Sequence, residues 1–148
     1  MRARDERGSL APAVPVIAMF LLLLGGLGVD GSRQLNARGQ AVAFAEEAAR
    51  AGAQGVDISA DTLVLDPSLA RERVDAYCDR VKQLGQVQSC DFVRIDPVSS
   101  SDARRLVVVT EVHLEIDASL LGIVGVTTLG ASATARARPY EGIDRVME

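Results

Sequence analysis

The chain has 148 residues, a net charge of −4 and a pI near 5.0, so it lacks the basic face that nucleic acid requires. Aromatic residues make up 3% and tryptophan is absent, which argues against base stacking or a sugar platform. Once a membrane anchor is set aside, about 120 residues remain, enough for one small domain with a core of small side chains.

Residues 1–9 carry Arg2, Arg4 and Arg7 against Asp5 and Glu6. Leu10–Val29 then runs for twenty residues without a charge. At 1.5 Å per helical residue that is roughly 30 Å, the thickness of a bilayer's hydrocarbon core. The run is therefore read as a single transmembrane helix, with Pro12 and Pro15 in its first turn, where a missing N–H costs least. The competing reading is a cleaved secretory signal, which needs a small-x-small site close behind the run; the segment that follows shows no clean one. Positive residues favour the cytoplasm, so the expected topology is N-terminus inside, with the rest extracytoplasmic on the cytoplasmic membrane. Cys78 and Cys90, both beyond the span, are expected to form a disulfide in an oxidising compartment.

Residues 30–55 continue the helix outward, with Glu46 and Arg50 spaced as an i,i+4 pair and Gly55 as the stop. Ala37, Ala41, Ala45, Ala49 and Ala53 recur at every fourth position and form one ridge of the helix surface. Two readings stay open: packing on the chain's own domain, or close approach of sister subunits.

Three sequence features occur in order: Arg7-Gly8-Ser9, then Val29-Asp30-Gly31-Ser32-Arg33 after the span, then the run Ala48 to Gln54. Together they resemble the TadE/TadG-like family of the tight-adherence (Flp-type) pilus system, over about the first third of the chain. The resemblance implies a membrane-anchored, pseudopilin-like part of a pilus assembly or secretion apparatus without a catalytic site. Prepilin-like members are cut after a glycine that has glutamate five positions on. Here that position, counted from Gly8, is Ala13, so the resemblance to the TadG-like branch implies an anchor that is kept whole.

Gly26, Gly28 and Gly31 also spell G-x-G-x-x-G, with Glu46 and Glu47 near the distance of a ribose-binding acid. The preceding apolar run is far too long for a strand, and Asp30 would set a carboxylate beside a bound pyrophosphate. No dinucleotide or other cofactor is expected.

Residues 56–139 read as a small α+β domain, followed by a tail at 140–148. Val56–Ala60 is a connector and Thr62–Leu65 a short strand. Asp66 caps and Pro67 opens an amphipathic helix through Ala70, Val74, Tyr77, Val81 and Leu84, ended by Gly85. Phe92–Asp96 reads as a strand, and Pro97–Ala103, with three serines, as a polar loop. In Arg104–Asp117, Leu106, Val108, Thr110, Val112, Leu114 and Ile116 alternate onto one face. Ser119–Val124 is a short apolar helix or turn. Thr127–Arg138 is the last strand, with Leu129, Ala131, Ala133, Ala135 and Ala137 inward and Arg136 and Arg138 placed to pair with Glu111, Glu115 or Asp117. The expected architecture is a long N-terminal helix, then an antiparallel sheet of three or four strands covered on one side by one helix, broadly pilin-like.

Catalytic chemistry is not legible. His113 is the only histidine, and with Glu111 and Glu115 on one strand it makes a solvated face better than a metal site. Ser99–Ser101 read as turn residues, and the cysteine pair lacks the second pair that structural zinc needs. Two functions remain. One is a structural subunit whose partners are the lipid bilayer and other pilus or secretion subunits, itself included. The other is a membrane-tethered binding module that uses its open sheet face and the Leu120–Val124 segment.

Overall fold

The computed structural model describes residues 12–57, 64–99 and 102–139. Helix α1 spans Ala13–Ala53 without interruption, 41 residues, or about 60 Å. Gly25, Gly26, Gly28 and Gly31 do not break it, because a glycine costs only about 1 kcal/mol in a helix and leaves the backbone ladder intact. The helix meets two environments. From Val14 to Val29 its large apolar side chains stand exposed, Leu22 at 71%, except the half-buried Leu23. From Ala37 to Ala53 one face is buried. The first stretch is long and apolar enough to cross a membrane by length and composition.

Gln54 caps α1, and the chain turns at Gly55 into strand β1 (Val56–Asp57), which pairs antiparallel with β2 (Val64–Leu65). The short strand expected at Thr62 is thus seen at Val64–Leu65, and Thr62 lies outside the described residues. Helix α2 (Pro67–Lys82) starts as its sequence dictates: the Asp66 carboxylate accepts from the Ser68 N–H at 2.7 Å and the Leu69 N–H at 3.2 Å. Those donors, with the Ser68 hydroxyl foremost, hold the Asp66 carboxyl below the ordinary aspartate range. Ala70, Val74, Cys78 and Val81 form the buried face of α2. Leu84 falls past the helix end and is 61% exposed, so it does not extend that face. Gly85 takes the left-handed φ of 76° that stops the helix.

Three long strands, β3 (Val87–Ser99), β4 (Asp102–Asp117) and β5 (Thr128–Ala137), form one antiparallel sheet in the order β3-β4-β5. The polar loop expected at Pro97–Ala103 is instead the end of the β3–β4 hairpin, with Pro97 opposite Leu106 and Ser99 opposite Asp102. Proline is tolerated there because β3 is an edge strand. Val108, Thr110, Val112 and Leu114 of β4 are buried against the helices, as their alternation predicts. Val109, on the opposite face, is also fully buried, flanked by its cross-strand neighbours Arg94 and Arg136. A disulfide joins Cys78 of α2 to Cys90 of β3, with the Cα atoms 5.3 Å apart.

Two helices, not one, cover the sheet: α1 packs on β4, β5 and α2, and α2 packs on β3. The alanine ridge makes this possible. Ala41, Ala45 and Ala49 are fully buried, Ala37 is 3% exposed and Ala53 7%. The buried Thr110 hydroxyl donates to the Ala45 carbonyl oxygen at 2.8 Å, tying β4 to the middle of the ridge. Of the two readings, the structure supports packing on the chain's own domain. Ala41, Ala45 and Ala49 lie in the chain's own core cluster with Val108, Val112 and Ala135 of the sheet. Ala41→Leu or Ala45→Leu should therefore destabilise the isolated protein by roughly 1–3 kcal/mol. Thermal unfolding of the detergent-solubilised chain, read by circular dichroism, would show it as a lower Tm. An unchanged Tm would contradict this placement.

Candidate functional site

The most constructed site lies where α1 passes from its exposed apolar half to its buried half. Asp30 is the first charged residue after the apolar run, and its side chain is fully buried. Its Oδ1 accepts the Ser119 N–H at 2.8 Å, and its Oδ2 accepts those of Leu120 at 2.9 Å and Leu121 at 2.7 Å. These amides open the short 3₁₀ turn Leu121–Val124, whose own cap residue, Leu120, offers no side-chain acceptor. Amides at a helix start lack intrahelical partners and need an acceptor from elsewhere. Asp30, 89 to 91 residues away in sequence, supplies it.

Neighbouring groups close the joint. The Arg33 guanidinium donates to the Ser119 hydroxyl oxygen, and Gln34 Nε2 donates to the Gly130 carbonyl at 3.3 Å. One turn earlier, a Cβ placed on Gly26 would lie 2.9 Å from the Leu120 Cβ, so only glycine lets the loop sit this close to the helix. The Leu121 N–H is the main group that depresses the Asp30 pKa; the other two amides and the Arg33 charge add to it, and desolvation opposes them. A depressed carboxylate pKa gives docking that is complete above about pH 4 and lost only as pH falls through the lowered value. At neutral pH, Asp30→Ala should leave the three amides without their acceptor. Hydrogen exchange at Ser119, Leu120 and Leu121 should then accelerate strongly while β4 stays protected. Unchanged protection would contradict the clamp.

In the sequence, Asp30 stands as a member of the Val29–Arg33 motif and as a carboxylate that disfavours a nucleotide turn. The available signal was a poor helix former, charged, placed directly after twenty uncharged residues. The glycine motif at Gly26, Gly28 and Gly31 lies inside continuous α1, where backbone N–H groups are committed to the helix ladder and cannot cradle a phosphate.

Elsewhere among the described residues the surface offers little chemistry. His113 Nε2 lies 3.2 Å from Glu111 Oε1 on the open sheet face, above a shallow hollow lined by Gln88, Glu115 and Ser132. Among the described residues, no three or more His, Cys, Asp or Glu side chains gather as metal ligands. The expected Arg136–carboxylate pairing is not what the register places opposite: Arg136 faces Val109, and Glu111 faces Thr134. Arg50 bonds Glu47 at 2.6 Å and also reaches the expected partner Glu46 at 3.5 Å. Of the three serines, Ser99 ends β3, and Ser100 and Ser101 lie outside the described residues.

These features define a class: an α+β domain built around the continuation of its own apolar N-terminal helix. Residues 8–55 match the family model described as Flp pilus-assembly TadE/G-like, a match that covers α1 and the turn at Gly55. The match covers 48 of the 148 residues, so it states what the first third of the chain is similar to. No curated protein and no solved structure matches the chain.

Proposed function

We propose that this protein is a membrane-anchored, pseudopilin-like structural subunit of a tight-adherence type pilus assembly or secretion apparatus, without catalysis. It spans the cytoplasmic membrane once, with its N-terminus inside and its α+β domain outside. The observation that carries the reading is the division of α1: an exposed apolar half of membrane length runs unbroken into a half that forms the core of the outer domain. Such a helix transmits position from the membrane to the domain without a hinge, which suits a subunit that must present its domain at a fixed height.

With the alanine ridge buried, contacts to other subunits fall to the outward face of α1, where Leu35 is 73% exposed and Val42 41%. A deletion strain should lose surface pili or the system's secretion output, and the wild-type chain should restore it. Leu35→Asp together with Val42→Asp should anchor and fold normally, yet fail to restore output or to cross-link to other subunits. Full output from the deletion strain would count against the proposal.

A further inference from the structure

The β4–β5 connection, residues 118–127, is ASLLGIVGVT, ten residues without a charge. A connection between strands at a protein surface is usually polar, because water must satisfy its backbone. Here Ile123 is 76% exposed, Val124 53%, Val126 41% and Leu120 39%. The loop does not lie at the far end of the domain. It is clamped by Asp30 to the first residue beyond the apolar run, and Leu120 packs against Gly26, inside that run. Gly26 stands three residues before the end of the run at Val29, or about 5 Å along the helix axis.

Most N–H groups of the loop also have partners inside the protein. Ser119, Leu120 and Leu121 give their N–H groups to Asp30. Ala118 bonds Thr127 at 2.8 Å, Ile123 bonds Leu120 at 3.2 Å, Gly125 bonds Gly122 at 3.1 Å and Val126 bonds Leu121 at 3.1 Å. Irregular backbone is tolerated at membrane depth only when its polar groups find partners inside the protein. An apolar tip, a backbone most of whose N–H groups are bonded inside the protein and a fixed position beside the span suit a loop that lies in the membrane interface.

We infer that the 118–127 loop is a second membrane contact, with Leu120, Ile123, Val124 and Val126 dipping into the outer-leaflet interface beside α1. The inference rests on the transmembrane reading of Leu10–Val29. The loop enters to roughly the 5–10 Å depth of an interfacial anchor. Together with α1 it gives the domain two points on the bilayer, which fixes rotation about the helix axis as well as height.

The chain contains no tryptophan, so a single introduced one is a unique probe. Full-length Ile123→Trp, Val124→Trp, Phe20→Trp and Val64→Trp are each reconstituted into phosphatidylcholine bilayers with and without brominated acyl chains. All four positions are exposed, so the substitutions do not disturb the core. Phe20→Trp reports the span, and Val64→Trp reports the distal end beside Gly55. Tryptophan at 20, 123 and 124 should lose roughly half its emission to the bromines, as expected for a ring within about 10 Å of the acyl boundary. Tryptophan at 64 should lose none. Quenching at 20 without quenching at 123 and 124 would overturn the inference and leave the span intact. A lack of quenching at 20 would overturn the transmembrane reading and the loop insertion with it.

Discussion

Gly55→Ala should destabilise the α+β domain by about 3 kcal/mol, near the top of the range for overpacking. A Cβ at this position would lie 2.4 Å from the Ala70 backbone nitrogen and 2.6 Å from its Cα. The obstruction is backbone, so no rotamer relieves it. Gly55 also bonds through its carbonyl to the Asp66 N–H at 2.9 Å, which holds the end of α1 against the start of α2. Pushing the two apart disturbs both helices that cover the sheet. A Tm drop of about 10 °C, measured by calorimetry on the solubilised chain, is the expected result. Gly85→Ala serves as a comparison. Gly85 has a φ of 76° but open space around it, so the cost there is only the left-handed strain of about 1–2 kcal/mol. Equal effects at the two positions would mean that the α1–α2 contact is not tight.

Loss of the Cys78–Cys90 disulfide has a comparable expected effect. The bond closes a loop of sequence separation 12 and links the middle of α2 to β3. By the chain-entropy account a loop of that size contributes about 3 kcal/mol. Both cysteines are 1% exposed, so the Cys78→Ala, Cys90→Ala double variant also loses buried contacts. Its Tm should fall by about 10 °C, and reductant should lower the wild-type Tm towards it while leaving the variant unmoved. Two free, alkylatable thiols in the native protein would contradict the pairing.

What the sequence made legible followed from local chemistry. Twenty uncharged residues marked the span, Asp66-Pro67 marked the start of α2, and the alternation from Leu106 to Ile116 marked the inward face of β4. What it hid depended on tertiary partners. Of strand β3 only Phe92–Asp96 reads as a strand; Gln88, Asp91 and Pro97 around that stretch do not. They are accommodated because β3 is an edge, is open on one face and is offset by a register shift between Phe92 and Arg94. The alanine ridge was visible as a surface for close packing, but a ridge of one composition fits a sheet or a neighbouring helix equally well. In the folded chain Val108 and Thr110 of its own β4 lie fully buried, and the Thr110 hydroxyl bonds the Ala45 carbonyl of the ridge. Asp30 itself stands out locally as a charge directly after the apolar run, but its amide partners lie about ninety residues downstream and no spacing rule connects them.

The account stands on α1 being retained as both anchor and core. Carbonate extraction of membranes from cells that express the C-terminally tagged chain, combined with protease added from outside, tests this most directly. The full-length chain should remain with the washed membranes, and the tagged domain should be degraded by external protease only. Release of a shortened soluble domain would show that the apolar run is a cleaved signal. A membrane-bound domain protected from external protease would show the opposite orientation. Either result would contradict the account.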